Sequence, residues 1–206
     1  MNDFGRYGVW FPARLWPRDP GEVAAAAQEL EGLGYGSVWV GGSPPDDLAL
    51  PEAILAATSG LVVGTSIIDV WRSDGAVLAA SDARIRARFP GRFYLGVGSG
   101  HAPSAEATGQ KYVRPLSKLR GFLQEELSAV PTGERVIAAL GPKALETARE
   151  LTAGALPYLV PPAHTADARR DHRGDRGRLR VGRRGHPGRR LPPAPPADEY
   201  LRRQGR

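Results

Sequence analysis

The chain of 206 residues contains no cysteine, which excludes disulfides and thiolate metal sites. It also has no apolar run near the roughly 18 residues that a membrane-spanning helix needs. Its first ten residues show no basic segment followed by an apolar one, so no signal peptide is expected. These absences predict a protein of the cytoplasm that has no membrane-bound part and no bound metal.

Charge is distributed unevenly along the chain. Residues 171–206 hold eleven arginines and four acidic residues, a net charge of +7, whereas the other 170 residues carry 17 basic and 18 acidic side chains. The overall net charge of +6 therefore comes from the tail, and any binding to nucleic acid would be a property of the tail alone. Because Arg, Gly and Pro dominate it, the tail is predicted to be disordered.

The tail has two explanations. It is either a genuine basic extension or the product of a changed reading frame in a GC-rich gene, whose shifted codons give Arg, Gly, Pro and Ala. The break is abrupt and falls inside an expected helix, which favours the second explanation. The expected division is thus an incomplete folded domain at residues 1–170 and a tail at residues 171–206.

Residues before the tail alternate short apolar runs with amphipathic segments, which indicates an α/β fold with a parallel sheet. The strands are predicted at residues 7–11, 37–40, 61–70, 93–97, 135–140 and 155–160. An open doubly wound sheet and a (β/α)8 barrel both fit this order. No G-x-G-x-x-G follows the first strand, which argues against a dinucleotide-binding sheet. About six units predict an incomplete TIM-type barrel, since a whole one usually takes ~250 residues.

Four segments together resemble the luciferase-like monooxygenase superfamily, and most closely its branch that uses the deazaflavin coenzyme F420. They are residues 61–72 (LVVGTSIIDVWR), 93–101 (FYLGVGSGH), 138–145 (AALGPKAL) and 154–165 (GALPYLVPPAHT). Each is weak alone, but their order and spacing are fairly specific, and the resemblance covers about residues 5–170. It implies a (β/α)8 barrel with the flavin or deazaflavin across its carboxyl-terminal mouth.

The third predicted strand contains the first group of candidate site residues. Gly64 lies inside it, and glycine within a strand often marks a bulge or a close backbone approach. The resemblance implies a bulge here with a cis peptide bond between Ser66 and Ile67 that backs the cofactor ring, and a polar contact to the ring from Asp69. The alternatives are an ordinary buried strand and, for Asp69, a surface acid near a helix.

Two loops supply the other candidates. Ser99 and Gly100 follow the fourth strand, where small residues let the backbone approach a ligand, and the resemblance assigns them to cofactor contact. His101 is the candidate catalytic residue, as proton donor to substrate or as a cofactor contact, against a plain surface histidine. Gly141, Pro142 and Lys143 open a helix whose first turn and added cation would favour the cofactor phosphate, against a simple turn.

Several residues are expected to have no role in the site. Several deazaflavin-dependent relatives have a catalytic histidine where this chain has Gly42 and Ser43, so an acid–base role is not expected there. The tryptophans at strand positions are assigned mainly to core or barrel packing, with a cofactor platform as the alternative, and His164 is assigned a structural role. These tryptophans are Trp10, Trp39 and Trp71.

The resemblance implies an oxidoreductase that transfers hydride between F420 and a small organic substrate, with FMN as the second choice of cofactor. A homodimer is possible, and binding to nucleic acid is not expected. Two other functions stay open: an inactive barrel remnant that cannot close, and nucleic-acid binding through the basic tail.

Overall fold

The computed structural model of the chain describes residues 4–171 and 180–181, and its framework is a parallel sheet of eight strands. The strands are β1 (Gly8–Pro12), β2 (Ser37–Gly41), β3 (Val62–Ser66), β4 (Ile68–Asp69), β5 (Phe93–Gly98), β6 (Arg135–Ala138), β7 (Gly154–Leu156) and β8 (Arg180–Val181). Their order is β1-β2-β3-β5-β6-β7-β8, with β4 paired to β5. Every strand pair is parallel, as the alternation of strands and helices predicts.

Helices connect the strands. They are α1 (Pro20–Gly32), α2 (Ala49–Ala57), α3 (Gly75–Arg88), α4 (Ala102–Glu106), α5 (Pro115–Gly121), α6 (Pro142–Leu151) and α7 (Pro162–Asp171). The start of α1 follows from its sequence, because the Asp19 carboxylate accepts a hydrogen bond from the Glu22 backbone N–H at 3.0 Å. None of the described helices is long and apolar enough to span a membrane.

The hydrophobic core lies on both faces of the sheet. The larger part packs between the strands and the helices, around residues such as Ile54, Leu78 and Phe122. On the inner face a smaller cluster of Val62, Tyr94 and other residues packs against Phe4 and Trp39. Strands β2, β3 and β5 are therefore covered on both sides, which explains their nearly continuous apolar sequences, whereas β1 is partly exposed.

The observed elements differ from the predicted ones at several points. The third predicted strand is divided into β3 and β4 at Ile67, and the Ser66–Ile67 peptide bond is cis. The sequence of residues 116–127 predicts a single helix, and the structure has α5 followed by a π-helical turn, Phe122–Glu126. Helix α4 was not predicted, since its five residues are too short to show a period.

Two described elements reach into the segment that the sequence assigns to the tail. Helix α7 continues to Asp171, and Arg180–Val181 pairs with β7 as β8, although no strand was expected in the tail. The remaining tail residues, on which the prediction of disorder depends, lie outside the described part of the chain. Among the described residues, β1 pairs only with β2 and β8 only with β7, so the barrel does not close through them.

Candidate active site at the carboxyl ends of the strands

A cavity of about 500 Å³ lies at the carboxyl ends of β5 and β6. Four of the predicted site residues line it, namely Ser99, Gly141, Pro142 and Lys143. The rest of the lining is mainly apolar and comes from α5, β6 and α6: Pro115, Leu116, Leu119, Ala138 and Ala144. Two loops about 40 residues apart in sequence thus meet around one space, as parallel strands make possible.

The cation of the cavity is Lys143, in the first turn of α6. Its side chain is exposed, and it forms no ion pair within the described part of the chain. Gly141 is the N-cap, and its carbonyl accepts the Ala144 and Leu145 backbone N–H groups at 3.0 Å each. The helix terminus and the ammonium group together make this end of the cavity favourable for an anion.

The second group of predicted residues surrounds the cis peptide bond between Ser66 and Ile67. Ile67 packs against Gly98, where an added Cβ would lie 3.0 Å from the Ile67 side chain and 3.1 Å from Ala138 Cβ. Ala138 also lines the cavity, so the bulge and the cavity are neighbours on the same rim of the sheet. Gly64 is not among the residues that line the cavity, and the Trp39 ring occupies the space where a Gly64 side chain would lie.

Asp69 is buried, with 5% of its surface exposed, so it is not the surface acid of the alternative interpretation. Its carboxylate accepts hydrogen bonds from the Trp71 backbone N–H at 3.0 Å and from the Ser104 hydroxyl. Gly100 adopts a φ of +53°, and a side chain there would overlap this carboxylate. Asp69 therefore connects β4 to the loop that follows β5, and both of its oxygens already accept hydrogen bonds.

The loop of residues 99–101 is held from both sides. The Trp71 indole N–H donates to the Ser99 carbonyl at 2.8 Å, and the Tyr112 hydroxyl donates to the Gly100 carbonyl at 3.1 Å. Trp71 is itself buried, in agreement with the packing role expected for it. His101, the N-cap residue of α4, is exposed at this rim and makes no capping hydrogen bond with its side chain.

Two further predicted positions are occupied by structural contacts. The Ser43 hydroxyl accepts the Asp69 backbone N–H at 3.0 Å, which ties the end of β2 to β4. His164 Nε2 lies 2.9 Å from the Leu140 carbonyl oxygen and connects α7 to the loop after β6. The structural role expected for His164 agrees with this contact.

The sequence interpretation missed two aromatic residues at the same rim. Trp10 was assigned mainly to packing, yet 43% of its surface is exposed and its indole N–H donates to the Ser66 carbonyl at 3.0 Å. Its ring lies 5.9 Å from that of Tyr158, which follows β7. Only the sheet order brings residues so far apart in sequence together, and no local pattern signals the contact.

Residues 6–127 match the family model described as luciferase-like monooxygenase, which is more than half of the chain. The chain belongs to the luciferase-like monooxygenase family. This confirms the resemblance identified from the four sequence segments.

Curated relatives of this luciferase-like chain include F420-dependent glucose-6-phosphate dehydrogenases. The protein from Nocardia farcinica is 34% identical over 133 residues, covering 58% of this chain and 39% of the relative. The protein from Mycobacterium avium is 35% identical over 113 residues, covering 50% and 33%. These matches thus span between a third and two fifths of the relatives' length.

Solved structures agree on the fold. An F420-dependent secondary alcohol dehydrogenase in complex with an F420-acetone adduct has a TM-score of 0.63 at 20% identity, covering 88% of this chain and 68% of that one. The oxygenating constituent of 3,6-diketocamphane monooxygenase from Pseudomonas putida, in complex with FMN, has a TM-score of 0.62 at 14% identity, covering 87% and 66%. The prediction of a partial (β/α) barrel is therefore confirmed.

Proposed function

We propose that the protein containing this chain is an oxidoreductase that transfers hydride between coenzyme F420 and a small organic substrate. The observation that carries the proposal is the cavity of about 500 Å³ that collects Ser99, Gly141, Pro142 and Lys143 beside the cis peptide bond. The F420-dependent relatives support the choice of cofactor. A cytoplasmic location and a homodimer belong to the same proposal.

The residues present fit a flavin-type cofactor. The cavity volume lies within the range of about 300–1,000 Å³ that is usual for ligand sites. Its mainly apolar walls suit a planar ring, and Lys143 with the first turn of α6 suits a phosphate. When bound, the deazaflavin accepts and donates hydride, while the protein supplies orientation and electrostatics.

Individual residues have separate tasks in this proposal. Ile67 and Gly98 would back the ring, and Ser99 and Lys143 would contact the remainder of the cofactor. His101 is exposed at the rim and is the candidate to hold or deliver a proton to the substrate. Asp69 would act indirectly, because its hydrogen bonds to Trp71 and Ser104 hold the rim in place.

The test is a binding titration of the full 206-residue chain with F420 and with its phosphate-free form, the deazaflavin ring with its ribityl chain. We expect Lys143→Met to weaken F420 binding about tenfold, the size of one lost charge-assisted contact. The same variant should bind the phosphate-free form as the parent chain does. Lys111→Met, which replaces an exposed lysine outside the cavity lining, is the matched control.

Each competing function has its own result in this experiment. If the parent chain binds neither form of deazaflavin, the proposal is wrong for this chain and the inactive remnant is favoured. Tighter binding of FMN than of F420 would indicate FMN as the cofactor, the one present in the FMN-bound structural neighbour. Nucleic-acid binding that disappears when residues 171–206 are deleted, while deazaflavin binding stays, would favour the tail as the functional element.

A further inference from the structure

Trp10 and Tyr158 form an aromatic pair at the carboxyl-terminal rim. Trp10 lies on β1 and Tyr158 follows β7, and their ring centroids are 5.9 Å apart at an angle of 46°. Both rings are largely uncovered, with 43% of Trp10 and 59% of Tyr158 exposed. Large aromatic side chains that stay exposed in pairs often mark a binding surface.

The exposed indole is nevertheless held in place. Its N–H donates to the Ser66 carbonyl at 3.0 Å, and its ring lies against Gly41, where any side chain would overlap it. The other three tryptophans are less exposed: Trp16 and Trp71 are 7% and 6% exposed, and Trp39 is half-buried against Phe4. Trp10 is thus the most exposed of the four tryptophans, and it is oriented at the rim.

The position of this surface relates it to the candidate site. The carbonyl that Trp10 binds belongs to Ser66, and the next residue, Ile67, packs against Gly98 beside the cavity-lining Ala138. The pair therefore stands on the same rim as the cavity and is connected to it through Ser66, Ile67 and Gly98. A ligand that occupies the cavity and extends past the cis peptide bond would approach the Trp10 face.

We propose that Trp10 and Tyr158 form an aromatic wall that binds the planar ring of the cofactor. This inference rests on the proposed function and adds two positioning residues that the family resemblance did not indicate. Aromatic faces attract planar rings by stacking, and an indole that is fixed before binding loses little conformational entropy when the ring arrives. Lys143 and the aromatic wall would then contact different parts of one ligand.

The experiment measures dissociation constants of the full chain for F420 and for the phosphate-free deazaflavin by calorimetry. Trp10→Ala should raise both constants by about 5- to 150-fold, the range reported for loss of one aromatic stacking contact. Tyr158→Ala should raise both constants by a smaller factor, and it keeps the test valid because this exposed residue can be changed without opening the core. Trp10→Phe keeps an aromatic face but loses the N–H to Ser66, so its effect should be intermediate.

Phe11→Ala is the matched control, since Phe11 is the next residue on β1, is 38% exposed and contacts Trp16 on the other face. We expect its constants to equal those of the parent chain. Binding by the parent chain that stays within twofold in Trp10→Ala and Tyr158→Ala would overturn the aromatic wall and leave the proposed function intact. Failure of the parent chain to bind either deazaflavin would overturn both.

A second measurement reports on Trp10 without relying on affinity. Because Trp10 is 43% exposed, whereas Trp39 is half-buried and Trp16 and Trp71 are buried, iodide should quench Trp10 fluorescence most strongly. Saturating phosphate-free deazaflavin should protect this fraction from iodide in the parent chain, and Trp10→Phe should have a smaller quenchable fraction from the start. Unchanged iodide quenching in a chain that binds the ring would contradict the proposal.

Discussion

Charged side chains at the amino ends of the strands differ from Lys143 at the carboxyl ends. At the amino ends, they bind the backbone of the same chain. The Arg135 guanidinium donates to the carbonyls of Leu123, Leu127 and Leu151 at 2.8, 2.7 and 2.9 Å. At the carboxyl ends, Lys143, His101, Trp10 and Tyr158 are exposed, and Lys143 lines the cavity.

Two more residues show the pattern at the amino ends. Arg92, just before β5, donates to the carbonyls of Leu61 and Thr58 at 2.9 Å each and to that of Leu55 at 3.3 Å. Glu31 accepts hydrogen bonds from the backbone N–H groups of residues 59–61, just before β3. These contacts satisfy backbone groups at helix ends and in tight connections, which would otherwise lack partners.

This difference between the two ends of the strands predicts that substitutions at the amino ends lower the stability of the fold, whereas substitutions at the carboxyl ends weaken ligand binding. A charge that satisfies internal backbone groups stabilises the fold, and its loss leaves those groups without partners. The exposed Lys143 ammonium group at the carboxyl ends makes no ion pair within the described residues, so it is available to a ligand. This division of the two ends is typical of (β/α) barrels, whose sites lie at the carboxyl ends of the strands.

The largest expected effect tests the amino ends. Arg135 is only 5% exposed, and Arg135→Met removes its three hydrogen bonds to backbone carbonyls. The substitution should lower the free energy of unfolding by about 3–5 kcal/mol. Burial lowers the pKa of Arg135, but a guanidinium group stays charged at neutral pH. The loss of stability should therefore be independent of pH between about 6 and 8. Urea unfolding measures it.

Lys111→Met is the control for Arg135→Met, because it removes an exposed cation that makes no ion pair within the described residues. Its free energy of unfolding should stay within about 0.5 kcal/mol of that of the parent chain. A similarly small change for Arg135→Met would remove the distinction between the two ends of the strands.

The second prediction concerns the middle of the sheet, between the two ends. A side chain on Gly96 would overlap the Thr65 carbonyl oxygen of the neighbouring strand, which is backbone and cannot move aside cheaply. Gly96→Ala should therefore destabilise the protein by about 2 kcal/mol, as overpacking of a core does. Thermal unfolding followed by circular dichroism measures the effect.

Gly141→Ala is the paired substitution at the carboxyl rim. An added Cβ at Gly141 meets nothing within 4 Å, so the melting temperature should barely change. Equal destabilisation by Gly96→Ala and Gly141→Ala would mean that the rim is packed as tightly as the sheet, contrary to the comparison.

The smallest effect is one that depends on pH. Hydrogen bonds from backbone N–H groups lower the pKa of the Glu31 carboxyl below its ordinary value of 4.5. The largest contribution comes from Gly60, and Ser59 and Leu61 add to it. The stabilisation is therefore fully present above pH 4.5 and is lost as the pH falls through the lower pKa of the folded state. Glu31→Gln should cost about 1 kcal/mol at neutral pH and much less at low pH.

Unfolding of Glu31→Gln and the parent chain is compared at neutral pH and below the folded-state pKa. Glu29→Gln, an exposed acid on the same helix, should behave as the parent chain at both pH values. A difference between Glu31→Gln and the parent that persists at low pH would show that the carboxylate charge is not the source of the stabilisation.

Much of the fold could be predicted from local signals. The start of α1 follows from Asp19 with Glu22 three residues later, a common helix-start pattern, and Gly64 together with the family resemblance indicated the irregular third strand with its cis Ser66–Ile67 bond. The lining of the cavity by Ser99 and Lys143 was predictable in outline, because both follow the carboxyl ends of parallel strands. The cofactor roles of these residues stay predictions.

Other features had no local signal. Asp69 was assigned to the cofactor or to the surface, but its buried hydrogen bonds depend on Ser104, in a short helix that the sequence pattern did not indicate. Trp10 was assigned to packing, because a tryptophan in an apolar strand usually belongs to the core. Its exposure and its bond to Ser66 depend on the neighbouring strands and on Tyr158, more than 140 residues away in sequence.

The sequence by itself determined the alternation of strands and helices, the family, and the glycine-rich and basic loops at the carboxyl ends, because periodicity, capping and short motifs are local properties. The tertiary structure alone decided which of those loops share a cavity, which charged groups bind the backbone, and which aromatic rings stay exposed. Those outcomes depend on the order and register of parallel strands, and strand order places side by side residues that no local pattern connects.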